Sequence, residues 1–447
     1  LKNAIRNIAG NNNFLSLFGN TSFAVLGFLS IFILARSYSR DVFGEWVLYI
    51  TAVTFVEMIR IGLTRTALVR FLSGARNSNE KEEIIASGSL IEIFVSIILC
   101  LLVFASFHLF YDSIIDSGYR LFFKWYPILA LLIFPFNNSF SILQASQKFG
   151  SIIVLRLTAM GSFITFLVIN YFFLKWSIEY IVFAHIGSNT LASMLGLSMR
   201  WTGMRKIFRA TKAQVKELLN FGKFSLGTLI GSNLLRSSDT FILGIMMTKA
   251  DAAIYMIPLK LVEVLEIPLR SFIAVAIPRM SRASRLGNNQ EVKSIYYRYS
   301  GVLTILFIPL LIALFIFAEP LVAFLGGPEY SGLSAPTNVF RIFLIYGLML
   351  SLDRFTGATL DCINKPRSNL MKVLYMAIAN IIGDIVAILL FNSLEAVAVV
   401  TIINSLIGVF VGYYFLNKEL SISVMRIPKL GWQFIRNNEF KNMIKNR

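Results

Sequence analysis

The sequence predicts an all-α polytopic membrane protein of about twelve transmembrane helices, arranged as two pseudo-symmetric six-helix bundles. Three observations lead there. The 447 residues are 56% hydrophobic, with 40 phenylalanines and a mean hydropathy of +0.70, outside the range of a soluble globular domain. Stretches of roughly twenty mainly apolar residues, enough to cross about 30 Å of hydrocarbon, fall at 14–35, 43–63, 84–110, 122–146, 151–174 and 178–201, then at 223–248, 253–278, 299–318, 337–360, 370–392 and 395–416. The second set also restarts the first. At a constant offset of about 209 residues, Glu57 falls on Glu266, Arg70 on Arg279, Arg76 on Arg285 and Glu82 on Glu291, a fixed-period self-similarity that marks an internal repeat. Shared apolar positions come easily in such a chain, so the matched charges carry the weight.

Taken in order, the first span, from Phe14, is too long for a cleaved signal peptide and is expected to stay as a transmembrane helix. An even number of spans per repeat gives both halves the same orientation. The expected organisation is an N-terminal bundle over 1–202, a basic linker over 203–222, a C-terminal bundle over 223–416 and a basic tail over 417–447. The connections alternate in charge. Lys2 and Arg6, the loop from Arg65 to Lys81, Lys148, the run from Arg200 to Lys223, the run from Arg279 to Arg298, Lys365, Arg367, Lys372 and the tail lie on one side. The positive-inside rule makes that side, with both termini, cytoplasmic. The net charge of +18 is therefore a topology signal, and no nucleic-acid partner is expected.

In the linker, Met204, Ile207, Phe208, Thr211, Val215, Leu218 and Leu219 recur at helical spacing between Arg205, Lys206, Arg209, Lys212 and Lys216. That pattern predicts a helix in the headgroup layer, held by anionic membrane lipids. The tail, with Trp432 and Phe434 among Lys429, Arg436, Lys441 and Lys445, reads the same way.

Ionisable residues inside a span are costly and normally face a bundle interior or a watery cavity. Glu57 and Arg60 stand three apart in the second span, Glu92 in the third, Arg156 in the fifth, Arg236 and Asp239 three apart in the seventh. Lys260, Glu263 and Arg270 share one face of the eighth with Glu266 beside it; Asp353 and Arg354 follow in the tenth and Asp384 in the eleventh. Same-helix neutralisation and a cavity-lining role are both open to the opposite-charge pairs, and Arg60 and Arg156 are near enough to span ends to snorkel. The seventh and eighth spans together carry three cations and three anions, which cannot all face lipid. A hydrated cavity with a cation-bearing lining is expected. Pro127, Pro135, Pro258, Pro268 and Pro309 are candidate bends.

Cys100 and Cys362 show no pairing or ligand pattern. No HExxH and no nucleotide-binding Gly-Lys-Ser/Thr loop occurs, so neither a metal, a cofactor nor ATP hydrolysis is expected in this chain.

Several short pieces, in order, resemble the bacterial polysaccharide flippase family, which shares a superfamily with the multidrug and toxin extruders and the lipid II flippase. They are Leu34-Ala35-Arg36 before Phe43-Gly44, Gly62-Leu63, Glu217-Leu218-Leu219 before Phe221-Gly222, Asp239 with Ile242-Leu243-Gly244, Tyr255, Pro278-Arg279-Met280-Ser281, and Phe324-Leu325-Gly326 before Tyr330. The chain departs from the pattern where Arg60-Ile61 replaces an acid before Gly62-Leu63, and where the first span carries Asn20 but no carboxylate. The resemblance implies a V-shaped, MATE-like pair of bundles and no enzymatic activity. It implies translocation of an undecaprenyl-pyrophosphate-linked oligosaccharide across the bacterial inner membrane, by alternating access, for O-antigen or capsule synthesis. Polysaccharide polymerase and chain-length machinery would be partners. Candidate headgroup contacts are then Arg236, Lys260, Arg270 and Arg354, with Arg60 and Arg156. Candidate acids for coupling to a proton, sodium or the membrane potential are Asp239, Glu266, Glu57, Glu263, Asp353 and Asp384. A cation-coupled multidrug extruder of the same fold is the alternative and would want an anionic cavity; a membrane enzyme of polysaccharide assembly would need a large extracytoplasmic loop that the spacing of the spans does not leave.

Overall fold

The computed structural model describes residues 12–423 and 425–437, so Lys2, Arg6, Lys441, Lys445 and the side chain of Asn20 lie outside the described residues. Every expected span is helical. In chain order the helices are α1 Asn12–Ser37, α2 Arg40–Gly74, α3 Ser78–Leu109, α4 Tyr111–Ile115, α5 Arg120–Leu132, α6 Phe134–Ala145, α7 Phe149–Ile169, α8 Ile178–Ser198, α9 Lys212–Met246, α10 Lys249–Glu263, α11 Glu266–Arg285, α12 Asn289–Ile316, α13 Ala318–Gly326, α14 Ser334–Cys362, α15 Pro366–Phe391, α16 Leu394–Leu420 and α17 Arg426–Arg436. Among the described residues, eight helices are long and apolar enough to cross a membrane unaided, or nine if α5 and α6 count as one bent span. This is a multi-pass membrane protein. The chain packs into two units, one running to Asn233 and including Leu243–Ala253, the other made of Leu234–Ile242 and the chain from Ile254 onward, so that α9 contributes to both.

Two of the five candidate prolines break their span. Pro135 sits in the first turn of α6, and α5 and α6 meet at 52°; its missing N–H and its ring deny the preceding turn a continuous ladder. A neighbouring helix restores the bonds, as membrane helices require: Ser193 Oγ of α8 donates to the Leu132 carbonyl at 2.7 Å and accepts from the Phe136 amide at 3.2 Å. Pro268 does the same to the eighth span, because it has no amide to give the Val264 carbonyl four residues earlier. The chain tightens there into three-residue turns, with Leu265 N on Val262 O at 2.9 Å and Ile267 N on Val264 O at 3.2 Å. Pro127, Pro258 and Pro309 lie inside unbroken helices.

Within the first unit the family-like pieces meet one another. A side chain at Gly222 would run into the Leu63 carbonyl, and one at Gly62 would meet Leu226 at 3.0 Å, so Gly62-Leu63 and Phe221-Gly222 are the crossing of α2 with the start of α9. The guanidinium of Arg70 lies 4.5 Å from the Phe221 ring beside that crossing.

The linker and tail depart from expectation. No single amphipathic helix spans 203–222: Met204–Arg209 is a 3-10 helix, tied to α3 by ion pairs of Lys206 and Arg209 with Glu82. Thr211 then caps α9, its hydroxyl accepting from the Gln214 amide. The break falls at Ala210 and Thr211, whose extended backbone ends the short 3-10 turn and lets Thr211 cap a separate helix. The tail helix α17 turns part of its apolar face, Ile427 and Phe434, onto protein, while Trp432 remains 57% exposed. Gly431 and Gly301 let α17 and α12 approach backbone to backbone, Phe434 is buried near Tyr299, and the Ser423 amide donates to Tyr297 Oη at 2.7 Å.

Candidate functional site

Apart from Arg156, the candidate charges form four groups, each inside one unit. In the first unit α2 supplies Glu57 and Arg60, which pair across one helical turn. Arg60 is 1% exposed; it donates to Ser96 Oγ at 2.8 Å and to the Ala130 carbonyl, in the last turn of α5 before the break, at 3.1 Å. Tyr126 donates to Glu57 Oε1 at 3.0 Å and Asn137 to Oε2 at 2.8 Å. Glu92 of α3, also buried, accepts from Thr64 at 2.7 Å. Arg60 therefore neither snorkels nor reaches an open surface. Arg156, half-buried, stacks its guanidinium 4.2 Å from the Phe23 ring and 5.3 Å from Phe140.

The second unit holds an open arrangement. Glu263 is shared by Arg236 Nη2 and Lys260 Nζ, both at 2.9 Å. Glu266, across the Pro268 break, is shared by Arg270 at 2.5 Å and Arg354 at 3.7 Å. Four cations thus flank two acids, an excess of two positive charges. The side chains of Arg236, Arg270 and Arg354 remain 52%, 66% and 47% exposed, whereas an ionic side chain in mid-span needs protein or water around it. The ladder therefore carries a net positive charge on side chains that are largely open.

Deeper in the same unit, Asp239 and Asp384 meet through Asn380, whose Nδ2 lies 2.6 Å from Asp239 Oδ1, 2.9 Å from Asp384 Oδ2 and 3.0 Å from Ser238 Oγ. Tyr255 donates to Asp239 Oδ2 at 2.7 Å and Asn404 to Asn380 Oδ1 at 3.0 Å. Asp384 Oδ1 is buried with no hydrogen-bond partner among the described residues. The same-helix pairs Arg236 with Asp239 and Asp353 with Arg354 are not formed, because each member finds a partner on another helix. For Asp353 that partner is Lys372 of α15, at 2.7 Å, with both side chains buried.

Charge patterning assigns Lys372 to a cytoplasmic loop, yet it stands in the second turn of α15, 3% exposed. Its position beyond the helix-starting Pro366 was the available signal. Asn137, Tyr126 and Asn380 carried no such signal, since neutral polar residues are common in spans, and Tyr255 stood out only as a family-like piece, without pointing to Asp239. Among the described residues no group of three or more His, Cys, Asp or Glu side chains is placed to hold a metal ion.

The family model described as "Polysaccharide biosynthesis protein" matches residues 9–284. A probable low-salt glycan biosynthesis flippase, Agl15, of Haloferax volcanii is 21% identical over 246 residues. That match covers 54% of this chain and spans about half, 51%, of the relative. Among solved structures, an inward-facing multidrug resistance MATE family transporter of the MOP superfamily matches with a TM-score of 0.77 at 11% identity, covering 89% of this chain and 94% of its own. The lipid II flippase MurJ in an inward closed conformation matches at 0.73 and 14%, covering 94% and 90%. A MOP superfamily transporter from Pyrococcus furiosus, described by the reverse polarity of its binding pocket, matches at 0.65 and 12%, covering 91% and 94%. These likenesses establish the fold, and the family match establishes kinship: the chain belongs to the polysaccharide biosynthesis protein family and has the all-helical, MATE-like fold of MOP superfamily membrane proteins.

Proposed function

We propose that this protein is a flippase that carries an undecaprenyl-pyrophosphate-linked oligosaccharide, of the O-antigen or capsule class, from the inner to the outer leaflet of the bacterial cytoplasmic membrane. The observation that carries the reading is the ladder of Arg236, Lys260, Arg270 and Arg354 around Glu263 and Glu266. A pyrophosphate brings several negative oxygens, and guanidinium groups bind such oxygens with paired, charge-assisted hydrogen bonds. The two glutamates hold the cations in place until the ligand arrives and take them back when it leaves, so binding stays reversible. The polyprenyl chain remains in lipid throughout. Repeats 1–202 and 223–416 supply the two halves of an alternating-access path, with both termini cytoplasmic.

Coupling to a proton or sodium is assigned to Asp239 and Asp384. Two carboxylates share one amide, and a buried carboxylate oxygen is left unpartnered among the described residues; this is a donor set that a single small cation satisfies. Polymerase and chain-length proteins are the expected neighbours in the membrane.

The deciding experiment deletes the gene in its host and scores the leaflet of the lipid-linked oligosaccharide together with surface glycan. Accumulation on the cytoplasmic face with loss of surface glycan, restored by the wild-type chain and not by Arg236→Glu with Lys260→Glu, is the expected result. Unchanged glycan with new sensitivity to cationic drugs would overturn it in favour of multidrug extrusion.

A further inference from the structure

A second polar site lies in the first unit, away from the four charge groups within the spans. Arg36, Ser37 and Tyr38, at the end of α1, and Asn170, Tyr171, Phe172, Lys175 and Trp176, at the end of the α7 span, line a pocket of about 540 Å³. A ring of three hydrogen bonds builds its wall. Tyr38 Oη donates to the Trp176 carbonyl at 2.6 Å, Asn170 Nδ2 donates to Tyr38 Oη at 3.0 Å, and the Trp176 amide donates to Asn170 Oδ1 at 2.8 Å. Burial raises the Tyr38 phenol above its ordinary value against the opposing Asn170 hydrogen bond, which keeps the hydroxyl protonated and the ring of bonds intact.

The backbone around the pocket is unusual. Asn170–Leu174 is a turn of π-helix, a feature that concentrates at functional sites. It is closed by the Lys175 amide on the Asn170 carbonyl at 2.8 Å, and Lys175 itself is left-handed, with φ 50°. A glycine or asparagine would take that conformation at less cost, so backbone geometry gives no reason for a lysine. Its side chain does: Lys175 brings a second cation to a pocket already lined by Arg36, whose guanidinium lies 4.3 Å from the Phe32 ring.

The surroundings say what kind of anion fits. Phe172 and Phe173 are 65% and 79% exposed directly beside the pocket, and Trp176 and Tyr180 are 42% and 48% exposed. Aromatic residues with cations at the end of an apolar span mark the headgroup level of a membrane, and the bare phenylalanines offer a surface to acyl or prenyl chains.

We propose that this pocket binds an anionic lipid-borne phosphate, one with no cation of its own in the head group, with Arg36 and Lys175 on the phosphate oxygens and Phe172 and Phe173 against the chain. The phosphate has two candidate sources, a resident anionic phospholipid or a polyprenyl phosphate. The site stands whether or not the chain is a flippase, because it uses none of the ladder residues.

The test uses the purified full chain in detergent, stripped of lipid, with binding read by native mass spectrometry. Phosphatidylglycerol, phosphatidylcholine and a polyprenyl phosphate are offered separately and in competition. Arg36→Gln with Lys175→Gly should lower retention of the phosphate lipid by about tenfold or more. Lys175→Gly alone should leave the melting temperature equal or higher, since it relieves the left-handed strain, and so separates lost binding from lost folding. Preference for phosphatidylglycerol identifies a resident phospholipid, and preference for the polyprenyl phosphate identifies that lipid as the ligand. Equal retention by the double variant, or phosphatidylcholine binding as tightly as both, overturns the proposal.

Discussion

Glu57 and Glu266 are matched positions of one repeat, and the two units treat them in opposite ways. Glu57 is buried and saturated, held by Arg60, Tyr126 and Asn137. Glu266 is held by cations whose own side chains are about half exposed or more. The difference begins with a backbone break in each unit. In the first, Pro135 bends the neighbouring α5–α6 span and brings Ala130, Tyr126 and Asn137 over the Glu57–Arg60 pair. In the second, Pro268 breaks the acid's own span beside Glu266, and the cations around it stay open. A buried pair with most of its lone pairs and protons satisfied, as here where Arg60 Nε alone of the pair's polar side-chain atoms lacks a partner among the described residues, fixes a helix bundle, whereas a half-open pair keeps its charge available. Identical residues at matched positions therefore do not imply matched roles.

The comparison breaks most severely at Arg60. Arg60→Met strands Glu57 and removes the donors to Ser96 and Ala130; loss of one partner from a buried ion pair costs about 3–5 kcal/mol, so thermal unfolding in detergent should show a collapse in stability. Adding Glu57→Gln should recover most of it. A stable Arg60→Met protein that had lost transport would place function in the first unit and sink the contrast.

Lys372→Met is next, with a penalty also of about 3–5 kcal/mol that Asp353→Asn in the same chain should relieve. That outcome would show the second unit to contain both a closed pair and an open ladder, a sharper statement than a contrast between units. Asp384→Asn should leave unfolding little changed while weakening ion-driven transport by roughly 5–150-fold, the usual span of a coupling free energy, read as ion-dependent uptake in vesicles. The smallest stability effect belongs to Arg236→Gln: exposed ion pairs contribute about 0–1 kcal/mol, so the melting curve should barely move even as transport falls. A large loss of stability there would mean that the ladder is structural.

Much of the fold was legible because it depends on hydropathy. A helix occupies each of the twelve expected spans, since a chain in hydrocarbon must satisfy its backbone within the segment. The charged candidates were legible for a related reason, as ionisable groups stand out against apolar runs. Their partners were not. Asp239 stands three residues from Arg236, within pairing reach on one helix, and is found with Tyr255 and Asn380; Asp353 is adjacent to Arg354 and is found with Lys372. Spacing on one helix says which residues can meet, and helix packing decides which do. In the tail and linker spacing was silent in the same way, because an amphipathic face states that something apolar covers it without saying whether that cover is lipid or protein: Phe434 is covered by protein, while Trp432 and Phe208 stay 57% and 99% exposed.

By itself, then, the sequence determined that this chain lives in a membrane, that its spans repeat, and which side chains are too polar to face lipid. All three follow from transfer free energies that each residue carries with it. Only the tertiary structure decided that Arg60 is sealed and Arg236 open, that Lys372 is a buried counter-ion, that Gly431 docks the tail on Gly301, and that Arg36 and Lys175 share one pocket. Those outcomes depend on distances between segments far apart in the chain, and electrostatic and packing energies change with such distances while transfer energies do not.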